Sequence, residues 1–201
     1  MSPLVRWCAL SALLGGALSI TVGLLVLLKP DYYLFGSPSD YLVVVAEGAA
    51  LLAVLGGLLG LHVAQKGSYG RAGGVGYLLS SAGLAMAGAG HLVALPFFVF
   101  LNTGGIAYVL IGLTQGVPLV WGAIYVLGTL LVSAGFLLFG IATLRARVLP
   151  PWCGPALILG LVSLWSLGNA LGWISFGISW LALGLAPRAS GAGPTTSRRV
   201  A

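Results

Sequence analysis

The sequence has 201 residues, of which 59% are hydrophobic and only 6% are charged. Because soluble domains typically carry about a quarter charged residues, this composition excludes a surface that faces mainly water and points to lipid as the solvent. The formal net charge of +6 comes from basic residues that lie in turns and tails between apolar runs. This placement is typical of membrane topology signals, so we expect the lipid bilayer as a partner and no nucleic acid.

Long uninterrupted apolar runs, such as 10–28 and 41–63, recur along the chain. A backbone in hydrocarbon must satisfy its own hydrogen bonds, which leaves helices or closed barrels, and these runs lack the alternation of barrel strands. The sequence therefore predicts an all-α, polytopic transmembrane helix bundle as a single domain over residues 1–186. A polar tail at 187–201 is expected to be disordered. The first run is longer than the apolar core of a signal peptide, so we expect a retained helix.

The first three spans are predicted at 7–28, 41–63 and 71–92. Small side chains recur at every fourth position of the first span, at Ser11, Gly15, Ser19 and Gly23. This small-xxx-small pattern lets helix backbones approach closely in lipid. It predicts a packing face for a neighbouring helix, for a membrane-protein partner or for a second copy of the chain.

The number of spans depends on residues 96–116, which are apolar but interrupted by the polar and glycine residues 102–105. A short fourth span there gives six spans, with later spans at 117–144 and 155–185. A re-entrant segment there gives five. Both arrangements place the N-terminus in the cytoplasm of a multi-pass cell-membrane protein. Counting positive charges on the inner side favours six spans, with Arg145 and Arg147 outside.

The segment Arg-Ala-Arg-Val-Leu-Pro-Pro-Trp at 145–152 resembles an R-A-x-V-L-P-x-W-like turn found between apolar spans of small bacterial multi-pass membrane proteins. The excess of Arg over Lys and the abundance of Ala, Gly and Leu also suit a bacterial source. No activity is assigned to that group. Its resemblance implies a cytoplasmic position for the turn, which favours five spans and conflicts with the charge count.

Glu47 is the single glutamate, and His91 is one of two histidines. If the second and third spans fold back near Ser68, these residues reach about the same depth near the outer surface, because each helical residue rises about 1.5 Å. Asn102 and Thr103 are expected beside the same outer end. Ionisable groups within a membrane helix are candidates for function, here as a proton relay or a site for a cationic or hydrogen-bonding ligand. Alternatively, the pair only joins two helices.

The last apolar run places Trp165, Asn169, Trp173, Phe176 and Trp180 on one helix face. This stripe predicts either a ligand groove, with Asn169 as its polar contact, or ordinary packing. His62 and His91 are expected at opposite membrane surfaces, so a shared haem is not expected, and neither is any other cofactor. No catalytic or metal-binding motif is present, so the sequence predicts a transport-like or accessory membrane protein, or alternatively a structural protein that docks partners through its small-residue faces.

Overall fold

A computed structural model describes residues 3–29, 38–102, 116–167 and 169–189, with side chains for 3–29, 40–92, 123–167 and 169–186. Throughout these ranges the regular structure is helical. The helices are α1 (Pro3–Leu28), α2 (Pro38–Gln65), α3 (Gly70–Asn102), α4 (Gly116–Ala146), α5 (Cys153–Ser166) and α6 (Asn169–Ala189). All of them except α5 contain a segment long and apolar enough to cross a membrane, as expected for an integral membrane protein. At 14 residues, α5 is about 21 Å long, which is shorter than a bilayer core.

Glycine contacts show how α1 packs between α2 and α6. Gly15 of α1 lies against Val54 of α2, and Gly60 of α2 lies against Cys8 near the start of α1. The two helices are therefore antiparallel. On another face of α1, Gly16 contacts Gly177 of α6. The small-residue pattern of the first span is thus used within the chain, on two faces.

The same kind of contact fixes the remaining helix directions. Gly76 of α3 lies against Phe139 of α4, and Gly83 lies against Gly128, so α3 and α4 are antiparallel. Helix α5 packs antiparallel to both α4 and α6, so that each helix contacts its neighbours in the chain. Because α6 also packs on α1, the helices form a closed ring.

The alternating directions define two ends of the bundle. The end that we call the cationic end holds the start of α1, the α2–α3 turn and the α4–α5 turn. Among the residues whose side chains the structure describes, the lysines and arginines at this end are Arg6, Lys66, Arg71, Arg145 and Arg147. The opposite end holds the end of α1 and the start of α2, where Lys29 and Asp40 form an ion pair. The described part of the chain also returns to the cationic end, because α6 runs antiparallel to α1.

Left-handed backbone conformations end two helices at the cationic end. Gly67 has φ of 92° just after α2, and Arg147 has φ of 53° just after α4. A residue in this conformation commonly terminates a helix, and glycine adopts it without steric cost. The predicted turn near Ser68 is therefore confirmed, with the Ser68 amide donating to the Gln65 carbonyl at 2.9 Å.

Two span predictions need correction. The third span was predicted to end near residue 92, whereas α3 continues through Pro96 to Asn102. Proline is tolerated in membrane helices because neighbouring groups can replace the lost hydrogen bond. Residues 103–115 lie outside the described ranges, and α4 starts at the end where α3 finishes. The described helices at 96–102 and from 116 onward therefore belong to two antiparallel neighbours, and six spans are not confirmed.

The last apolar run was predicted as one span over 155–185, and this was wrong. Helix α5 ends at Ser166 and α6 begins at Asn169, antiparallel to it. The Arg145–Trp152 turn consequently lies at the same end as the Lys66–Arg71 turn. The prediction that Arg145 and Arg147 lie on the other side from Lys66 was also wrong. The cytoplasmic position that the resemblance of this turn implies stays a prediction.

Aromatic side chains fill the interior between α4 and α6. Phe136, Phe176 and Trp180 are almost fully buried, with ring centroids of Phe136 and Trp180 separated by 5.8 Å. Lipid tails are as apolar as these rings, so water exclusion contributes little to their packing within a bilayer. Dispersion contacts and shape complementarity therefore hold this part of the bundle together.

Candidate functional site

The site is built where Gly48 of α2 packs against Gly88 of α3. A Cβ atom added to Gly48 would lie 3.1 Å from the carbonyl oxygen of Gly88 and 3.2 Å from Cβ of His91. A side chain at this position would require its neighbours to shift by a few tenths of an ångström. Glu47 precedes Gly48, and His91 lies one turn from Gly88 toward the C-terminus of α3. Close packing of the two backbones therefore brings the acid and the imidazole together.

Glu47 and His91 are in contact, as the sequence predicted. The His91 Nε2 and Glu47 Oε2 atoms are 3.3 Å apart. The residues are 2% and 5% exposed, so both functional groups lie inside the bundle. Charges in such surroundings are costly unless they are paired, which favours an arrangement with no net charge.

The hydrogen bond made by Nδ1 of His91 shows which ring nitrogen carries a hydrogen. Its Nδ1 atom is 2.7 Å from the Ala87 carbonyl oxygen. A carbonyl only accepts hydrogen bonds, so Nδ1 must carry a hydrogen and donate it. A hydrogen bond between Nε2 and the Glu47 carboxyl requires one further proton, either on the imidazole or on the carboxyl. In both states the pair is neutral overall.

Tyr125 of α4 completes the surroundings of the imidazole. Its ring lies edge-on to the His91 ring, with centroids 5.6 Å apart and an interplanar angle of 68°. An edge-to-face arrangement of this kind is a favourable geometry for a pair of aromatic rings. Three helices thus meet at the pair, and the arrangement can hold one proton in two positions within an apolar interior.

The other predicted site residues are Asn102, Thr103 and Asn169. Asn102 ends α3, eleven residues beyond His91, which corresponds to about 16 Å along the helix. The side chain of Asn102 and the whole of Thr103 lie outside the described part. Asn169 is exposed at the first position of α6. The functional roles of these three residues stay predictions.

The aromatic stripe predicted in the last run is divided between two helices. Trp165 is on α5 and 59% exposed, whereas Trp173, Phe176 and Trp180 of α6 are buried. The buried members pack against one another, with Trp173 and Phe176 in edge contact. This corresponds to the packing alternative, because the break before Asn169 separates Trp165 from the rest.

His62 belongs to a second cluster of polar and aromatic side chains. The sequence predicted only that His62 lies near a membrane surface. Its Nδ1 atom is 2.5 Å from the Tyr69 hydroxyl, and its ring stacks on Tyr77 with centroids 3.8 Å apart. Burial, and to a lesser degree the neighbouring Tyr77, raises the pKa of Tyr69, so its hydroxyl stays protonated. The signal in the sequence was the spacing of these three residues: Tyr69 follows His62 by seven residues, and Tyr77 follows Tyr69 by eight, across a short turn. His62 is fifteen residues from Glu47, about 22 Å along α2.

The ion pair between Lys29 and Asp40 was also missed. Asp40 lies in the first turn of α2 and is 1% exposed. An acidic residue in this position also interacts favourably with the positive end of the helix dipole. The available signal was the position of the two residues. Lys29 follows the first predicted span, Asp40 precedes the second, and a single loop joins them.

Comparisons with protein-family models, curated proteins and solved structures gave no match. The class of the protein therefore rests on its own features. Its long apolar helices and closed helical ring are those of a multi-pass integral membrane protein.

Proposed function

We propose that the protein is a transport-like or accessory component of the cell membrane whose functional feature is the buried Glu47–His91 pair. The observation that carries the proposal is the 3.3 Å contact between an acid and an imidazole that are both enclosed by apolar helices. Ionisable groups are costly inside a membrane helix bundle, so their presence favours a role beyond packing.

The proposed role of the pair is to bind a proton and to exchange it for another monovalent cation. With one shared proton the pair is neutral, whereas a second proton leaves a net positive charge and loss of the proton leaves a net negative charge. Both charged states are disfavoured in apolar surroundings. A monovalent cation that replaces the proton would conserve the neutral state, so the supported ligand class is a proton or a small cation.

The charge distribution supports a cytoplasmic position for the cationic end and therefore for the N-terminus. Five exposed basic residues lie at this end, whereas Lys29 at the opposite end is paired with Asp40. Basic residues in short loops concentrate on the cytoplasmic side of membrane proteins. With this orientation the Glu47–His91 pair lies in the outer half of the bilayer, because Glu47 is seven residues from Asp40, or about 10 Å.

The test is proton movement in vesicles reconstituted with the full chain. A pH-sensitive dye inside the vesicles reports proton entry after an external pH jump, with sodium or potassium inside as the exchanging cation. Glu47→Gln preserves shape and can still donate a hydrogen bond to His91, but it cannot release a proton. We expect it to reduce flux to the level of empty vesicles.

Asp40→Asn is the matched control, because it neutralises another buried carboxyl seven residues away on the same helix. It should leave the flux unchanged. Equal flux from wild type and Glu47→Gln would refute the proposal, and so would absence of flux from wild type with every cation tested.

A packing role is the second candidate, and one observation favours it. The pair is buried beside the close contact between Gly48 and Gly88. In that case Glu47→Gln changes only the free energy of unfolding. Docking of a partner on the small-residue faces has less support, because α2 and α6 already occupy the glycines of α1.

A further inference from the structure

Four exposed cations lie on two turns that meet at the cationic end. Lys66 and Arg71 flank the α2–α3 turn, and Arg145 and Arg147 lie at the end of α4. None of the four makes an ion pair with another described residue. Since α3 and α4 are antiparallel neighbours, the two turns are adjacent.

Aromatic contacts hold the α2–α3 turn against α4. The ring of Tyr69, in the middle of the α2–α3 turn, packs edge-on against Phe139 of α4 with centroids 5.9 Å apart. The Tyr69 hydroxyl is bonded to His62, which fixes the ring from the other side. The left-handed conformation of Arg147 fixes the path of the chain after α4. The cations are therefore carried on a defined surface.

Apolar side chains beside the cations have the character of a membrane interface. Val148 and Trp152 follow Arg147 in the α4–α5 turn and are 42% and 39% exposed. Tryptophan is enriched at the level of lipid headgroups, and cations with exposed apolar neighbours suit the boundary between headgroups and acyl chains.

We propose that Lys66, Arg71, Arg145 and Arg147 form a binding surface for anionic phospholipid headgroups. The partner is defined by charge complementarity, because the surface is uniformly positive and lies where the helices leave the hydrocarbon. Arginine donates to phosphate in a bidentate manner, which adds geometric selectivity to the attraction. This surface and the Glu47–His91 pair are carried by different residues, so each proposal can fail alone.

The experiment measures lipid selectivity of the full chain in phosphatidylcholine vesicles. Spin-labelled phosphatidylglycerol and spin-labelled phosphatidylcholine report how much of each lipid is immobilised at the protein. Wild type should immobilise phosphatidylglycerol preferentially at low salt and lose much of the preference at high salt. Each basic residue near an anionic surface should increase the preference for phosphatidylglycerol by at most about fivefold.

Two neutralised variants test the assignment independently. Arg145→Gln with Arg147→Gln, and Lys66→Gln with Arg71→Gln, should each reduce the preference severalfold. All four side chains are exposed, and thermal unfolding verifies that the variants are folded.

The matched control is Lys29→Gln with Asp40→Asn, which removes the same number of charged groups at the opposite end, where they neutralise each other. It should retain the wild-type preference. The proposal is overturned if both neutralised variants keep the full preference, if the control loses as much as they do, or if wild type shows no preference.

Discussion

Replacing Gly83 with alanine tests the contact that sets the direction of α4. A Cβ atom at this position would lie 2.5 Å from the Gly128 carbonyl oxygen and 2.5 Å from the Val132 amide nitrogen. Both atoms belong to the backbone and cannot rotate away. Ordinary contacts of a Cβ atom begin at 3.4 Å, so the two helices must separate by most of an ångström. Overpacking of this kind costs about 1–3 kcal/mol.

The higher helix propensity of alanine raises stability and so opposes the loss from overpacking. A control variant is needed to separate the two effects. Alanine is favoured over glycine by about 1 kcal/mol in a helix interior. Gly90→Ala is the matched control, because it lies on the same helix and its nearest atom is Ile124 Cγ2 at an ordinary 3.9 Å. We therefore expect Gly83→Ala to be less stable than Gly90→Ala by about 1–3 kcal/mol.

The assay is unfolding of the purified protein from mild detergent micelles by increasing sodium dodecyl sulfate, followed by tryptophan fluorescence. Both variants and wild type are measured in parallel, and the comparison uses the difference between the two alanine variants. Equal stability of Gly83→Ala and Gly90→Ala would show that α3 and α4 do not make this contact. The antiparallel packing of α3 and α4 would then have to rest on the contact of Gly76 with Phe139.

Three further predictions test the ends of the bundle. Single cysteines at Lys66→Cys and Arg145→Cys should react with an impermeant maleimide from the same side of sealed vesicles, and Lys29→Cys from the other; labelling of the first two from opposite sides would contradict the fold. Asp40→Asn should lower the free energy of unfolding by about 1 kcal/mol or more, because the lost pair is more buried than typical surface pairs; unchanged stability would show that the pair contributes little. The pKa of Tyr69 is raised by burial, so its stabilising effect should be present below the pKa of the unfolded chain and be lost as the pH rises through the folded value. Tyr69→Phe should accordingly show a smaller loss of stability above pH of about 10 than wild type, and equal losses would argue against this role.

The lipid solvent, the helical class and the common depth of Glu47 and His91 followed from the sequence. These features depend on the length of each apolar run and on the position of the turn between two runs. Run length decides whether a helix can cross hydrocarbon, and a short turn near Ser68 fixes which residues of α2 and α3 share a depth. Whether Glu47 and His91 face each other required the structure, because Gly48 and Gly88 set the approach of the two backbones.

The direction of α4, the break between α5 and α6, and the Lys29–Asp40 pair were decided only by the tertiary structure. These helices are apolar on nearly all sides, so their patterns do not distinguish a face that meets lipid from a face that meets another helix. Pro96 was a plausible boundary by sequence, yet α3 passes through it. Packing of small residues against backbones selects the neighbours, and that depends on the shapes of both surfaces rather than on either segment alone.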